Sequence, residues 1–80
     1  MHFTQSLPIE PFQTPALGLI DRAVEGDVRG RIRYGGTIWF ARPHIPGLGL
    51  TFAIGDAVTI IARQGNTLLI APTSDQLIAA

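Results

Sequence analysis

From residue 18 onward the chain alternates between apolar and polar positions in short runs separated by glycines. In "GLIDRAVEG", Leu19, Asp21 and Ala23 fall opposite Ile20, Arg22 and Val24, which predicts a first strand. "VRGRIRY" alternates strictly, with Val28, Gly30, Ile32 and Tyr34 on one face and Arg29, Arg31 and Arg33 on the other. Period two of this kind marks a half-buried strand. Gly35-Gly36 then satisfies the positive φ that a tight hairpin turn demands, and "TIWFAR" is the return strand. "DAVTIIAR" (56–63) is rich in β-branched residues and predicts a fourth strand. A turn at Gln64-Gly65-Asn66 leads into "TLLIA", which Pro72 stops.

Five short strands with turns at close spacing, and no long amphipathic pattern, predict an all-β fold: a small five-stranded barrel of the oligonucleotide/oligosaccharide-binding (OB-fold-like) type. Gly30, alone on an inward face, is expected at a bulge or sharp bend. The domain is expected to span 18–72. Residues 1–17 hold prolines at 8, 11 and 15, which excludes a helix or central strand and predicts a loosely held arm. The alternative is that Phe3, Ile9 and Phe12 dock on the domain or on a neighbour. The tail 73–80 is expected to be frayed or a brief helical turn.

Composition narrows the functional classes. A chain of 80 residues is one small domain, burying roughly 60–65% of its unfolded surface. There is no cysteine, so no disulfide or thiolate metal site supports the fold. The basic residues number six, all arginine, against six acidic ones, and this balance argues against indiscriminate polyanion binding. No apolar run approaches the ~20 residues of a membrane helix, and the N-terminus lacks a signal-peptide pattern. The chain is therefore expected to be soluble and cytoplasmic, meeting a membrane surface only through a partner or a missing segment.

The order "RGRIRYGGTIWFAR" followed by "IGDAVTIIARQGNTLLIAP" resembles the C-terminal soluble domain of the NfeD family. The matching positions are Gly30, Gly36, Trp39 and Ala41, then Gly55, Val58 and Ile60, then Gly65, Leu68, Ile70 and Pro72. The resemblance runs from Gly18 to Pro72 and consists mostly of barrel-building residues. It implies a five-stranded barrel with no established catalysis of its own. It also implies a position behind transmembrane helices or a serine-protease domain, and association with stomatin-like membrane scaffold proteins. The 80 residues contain neither the helices nor the protease, which suggests an excised domain or a free-standing form.

Candidate chemistry is sparse. Trp39 reads as a core or rim anchor, or alternatively as a stacking platform or protein hot spot. Arg29, Arg31 and Arg33 form a stripe that Arg42 and Arg63 are placed to join. That stripe suits carboxylate or phosphate recognition, unless Asp21, Glu25, Asp27 and Asp56 neutralise it. The loop "PHIPGLGLTFAIG" carries Ile45, Leu48, Leu50, Phe52 and Ile54 without a charge, to cover a barrel end or to present an apolar docking patch. His2 and His44 do not make a metal site, and no serine, histidine or carboxylate spacing suggests catalysis. The expected function is therefore a non-catalytic interaction module without cofactor or metal. Its expected contacts are Trp39, Phe40, Leu48, Leu50 and Phe52, with Arg29, Arg31, Arg33 and Arg42 at the rim. The partner is a stomatin-like protein or a second copy of the chain. The alternative is single-stranded nucleic-acid binding through the arginines and aromatic stacking.

Overall fold

Alternating residues become strands throughout the computed structural model, which describes residues 7–73. The elements are β1 (Ile9–Arg22), β2 (Val24–Glu25), β3 (Gly30–Tyr34), β4 (Thr37–Pro43), β5 (Thr51–Phe52), β6 (Ala57–Gln64) and β7 (Thr67–Ala71). Five of them close into a barrel in the order β1-β3-β4-β7-β6, with β1 pairing back onto β6. β2 and β5 form a separate two-stranded ribbon. Every barrel pair is antiparallel except β4 with β7, whose parallel pairing requires the long connection through β5 and β6. The five expected strands correspond to the five of the barrel, except that the first, expected to run on through Val24, ends at Arg22, and Val24–Glu25 belongs to the ribbon instead.

The Gly35-Gly36 turn links Tyr34 to Thr37, which are paired directly, and both glycines have positive φ (61° and 77°). That is the two-residue hairpin geometry whose twist matches its strands. Gly30 serves a different purpose. A Cβ there would press on the backbone carbonyls of Arg22 and Ala23 and reach to 2.7 Å of Val24 Cγ2. It lies beside the bulge in β1, where Ile20 pairs with Ile32 but Arg22 pairs with Arg31, leaving Asp21 as the extra residue.

Inward positions make the core: Ile20, Ile32, Ala41, Val58, Ile60, Leu68 and Ile70 are all buried. Val24 and Phe52, paired across the β2–β5 ribbon and both buried, fill one end of the barrel. At the end near the hairpin turn, Phe12 and Tyr34 lie with ring centroids 5.9 Å apart, and both pack against the core with Trp39.

Two expectations are corrected. Residues 9–17 are not a loose arm: β1 reaches back to Ile9, running through Pro11 and Pro15. The ladder with β6 breaks between Pro11, opposite Ala62, and Ala16, opposite Ile60. The missing proline amides are tolerated because the strand is irregular there, and Phe12 turns into the barrel mouth. Val28 is not on the inward face of β3. It is 64% exposed and meets Glu25 in an isolated bridge, because the chain reverses between β2 and β3 before β3 begins at Gly30. The expectations for Phe3 and for the tail from residue 74 lie outside the described residues.

Candidate interaction surfaces

The middle of the barrel wall formed by β1, β6 and β7 is uncharged, between the exposed cross-strand pair Glu10 and Arg63 at one end and the exposed Asp21 and Arg22 at the other. Leu17 pairs with Thr59, and Thr59 with Ala71, so these three make one row across the strands. Leu19 pairs with Ala57 in the adjacent row. Leu17 and Leu19 are 68% and 51% exposed, although leucine on a regular strand more often faces inward. The row continues into a groove of about 240 Å³ lined by Ile45, Leu48, Leu50, Ile61, Ala71 and Pro72, among others. Ile61 reaches that groove because β6 bulges between Ile60 and Ala62. The loop after β4 is tied down where the His44 N–H donates to the Ile70 carbonyl (2.7 Å).

The apolar loop thus divides between two tasks. Ile45, Leu48 and Ile54 remain exposed, Leu50 is half-buried against the core, and Phe52 is buried at 2% exposure. Phe52 is therefore corrected from docking contact to core plug, since its ring reaches no partner while the barrel is closed. Leu17, Leu19 and Ile61 escaped the sequence reading. The signal for Leu17 and Leu19 is their alternation with Gly18 and Ile20, visible only when residue 17 belongs to a strand, whereas Ile61 is turned outward by a bulge that the sequence does not mark.

Five of the six arginines separate into three groups, and the sixth, Arg22, lies opposite Arg31 in the β1–β3 register. Arg33 forms an exposed ion pair with Asp21 (3.6 Å). Arg63 caps the barrel mouth: its guanidinium carbon lies 5.0 Å from the Trp39 ring centroid, and its Nε–H donates to the Gly65 carbonyl (2.7 Å). Arg29, Arg31 and Arg42 gather on the outside of β3 and β4. Arg31 stands directly opposite Phe40, and the guanidinium carbons of Arg29 and Arg31 lie 4.3 and 5.8 Å from the Phe40 centroid. Arg42 donates to Gln64 Oε1.

Trp39 is half-buried at the mouth beside Phe12 and Tyr34, and its indole Nε1 is buried with no hydrogen-bond partner among the described residues. This is the environment of an anchor, with one ring face near a guanidinium.

Little else offers chemistry. His44 is exposed, and the described residues hold no cluster of three His, Cys, Asp or Glu able to take a metal. Asp56 accepts the Ala53 N–H (2.8 Å), which closes the turn before β6. No helix among the described residues is long and apolar enough to cross a membrane.

The barrel thus carries a row of uncharged exposed side chains on one side and an arginine-bearing face on another. The family model for the NfeD-like C-terminal, partner-binding domain matches residues 18–72, more than half of the chain, and the chain belongs to the NfeD family. No significant match was found among curated proteins or among solved structures. The membership makes the chain a protein-interaction module of the barrel type.

Proposed function

We propose that the chain is a non-catalytic docking domain whose partner is a stomatin-like membrane scaffold protein, engaged through the apolar row on the wall of β1, β6 and β7. The observation that carries this reading is the exposure of Leu17, Leu19, Ile45 and Leu48 on or beside one apolar groove. Exposed apolar surface of this kind, continuous over several side chains, is what a protein interface covers. Leu48, from the original set of expected contacts, stays in the proposed interface and Leu50 forms its floor. The family's association with stomatin-like proteins supports the choice of partner, and a site of action at the cytoplasmic surface of a membrane follows from that choice. Self-association through the same wall is the other occupant of the proposal.

Affinity capture from a detergent-solubilised, nuclease-treated lysate tests it, with the native chain and a Leu17→Asp/Leu48→Asp chain as baits. Recovery of a stomatin-like protein by the native bait alone is the expected result. Recovery by both baits, or by neither, overturns the proposal, and sedimentation of the native chain alone reports self-association.

Nucleic-acid binding gains little support from this geometry. Stacking on bases needs a free aromatic face. Phe40 already carries two guanidinium groups, and Trp39 sits in the barrel mouth under Arg63.

A further inference from the structure

We infer that the outer face of β3, β4 and β7 around Phe40 receives an acidic peptide segment of a protein partner, with Arg29, Arg31 and Arg42 as the carboxylate-binding groups. The inference rests on reading the domain as a partner-binding module. It concerns a different wall of the barrel, however, and its test needs no stomatin-like protein.

Register brings the groups together. Arg31 lies opposite Phe40 on β4, Phe40 lies beside Thr67 on β7, and Arg42 lies beside Leu69 two positions along. Two hollows adjoin on this face. One, of about 360 Å³, has Arg29, Arg42, Gln64 and Asn66 on its walls. The other, of about 450 Å³, has Arg31, Phe40 and again Asn66. The shared Asn66 sets the two hollows side by side.

The charge on that surface is unbalanced. Its acidic lining residue is Asp27, against three arginines. Among the described residues the ion pair present is Arg33 with Asp21, and the partner of Arg42 is the neutral Gln64. Like charges held close together repel, so three guanidinium groups without an ion-pair partner among the described residues oppose folding in a chain whose net charge is zero. A bound carboxylate-rich segment removes that repulsion.

The arrangement also suits carboxylates chemically. A guanidinium resting on an aromatic ring keeps its N–H donors, which lie in its own plane, free for other acceptors. Holding Arg29 and Arg31 on Phe40 lowers the ordering cost of capture, and each fork matches a carboxylate in bidentate fashion. Asn66 adds a neutral group at the junction, its Oδ1 already accepting the Thr67 hydroxyl (3.2 Å). The occupied face of Phe40 disfavours a base, so the complementary partner is an acidic peptide rather than an oligonucleotide.

The test is an NMR titration of the full 80-residue chain with an oligoglutamate peptide long enough to span both hollows. Parallel arms use a neutral glycine-serine peptide, oligothymidylate, and phosphatidylcholine vesicles carrying phosphatidylserine. Saturable shifts are expected at Arg29, Arg31, Phe40, Arg42 and Asn66 with oligoglutamate and not with the neutral peptide. Arg29→Gln/Arg31→Gln is expected to weaken binding by about tenfold, with the dispersed spectrum of a folded chain retained. Arg33→Gln, which alters an arginine already paired with Asp21, is the control for general charge and is expected to leave affinity nearly unchanged.

The inference is overturned by the absence of saturable shifts, by shifts centred elsewhere, or by equal weakening in the Arg33 variant. Tighter binding of oligothymidylate or of the anionic vesicles also overturns it. None of these results bears on the apolar wall, and failed capture by that wall leaves this titration unaffected.

Discussion

Arg63 lies over Trp39 at the barrel mouth, its guanidinium carbon 5.0 Å from the ring centroid. The pair explains why the chain's one tryptophan follows a glycine hairpin. The turn brings β4 back across from Ile32, placing Trp39 at the rim, where Phe12, Tyr34 and Arg63 close the end of the core. Trp39→Ala is expected to destabilise the domain by about 2–4 kcal/mol, somewhat under the range for a fully buried tryptophan. Trp39→Phe is expected to lose much less, because it also removes the buried, unpartnered Nε1. Urea denaturation of the two variants checks the ordering.

Phe52 gives the second prediction. At 2% exposure and paired with Val24, it fills the other end of the barrel. Phe52→Ala is expected to cost about 3–5 kcal/mol, most of the stability of a domain this size. Circular dichroism should show it largely unfolded at growth temperature. A thermal midpoint close to the native one would show that this end of the barrel does not depend on the ring.

Gly30 sets a third. A Cβ there meets the backbone carbonyls of Arg22 and Ala23, and backbone cannot move aside as a side-chain tip does. Gly30→Ala is therefore expected to destabilise by about 1–3 kcal/mol, as overpacking does. The change is read from the shift of the urea midpoint at constant slope.

The five barrel strands were legible because their alternation is regular and their turns contain glycine. The Gly35-Gly36 hairpin is the clearest case. β1 was misjudged at its N-terminal half because the proline rule assumes an unbroken ladder, whereas this strand carries an irregularity between Pro11 and Ala16. An arm over residues 9–17 has no outward face, so the row through Leu17 is legible only in the strand.

The apolar loop was equally opaque. Leu48 and Phe52 look alike in a segment without periodicity, and tertiary pairing with Val24 decides that one is exposed and the other buried. In sequence the arginine stripe forms a single face. Asp21, the extra residue of a bulge, separates Arg33 from the rest by pairing with it.

Exposed apolar residues give the fourth prediction. Leu17→Asp and Leu48→Asp remove no core contact, so each is expected to change stability by less than about 0.5 kcal/mol. Thermal denaturation of the two chains checks this, and a large loss would mean that these side chains support the fold instead of a partner.

Calorimetric titration of the purified native chain with a purified stomatin-like protein, beside the Leu17→Asp/Leu48→Asp chain, tests the central claim most directly. The account predicts saturable binding with a negative heat-capacity change for the native chain, the signature of apolar burial. It predicts no detectable binding for the variant at an unchanged thermal midpoint. Full affinity in the folded variant would contradict the assignment of the β1–β6–β7 wall as the docking surface.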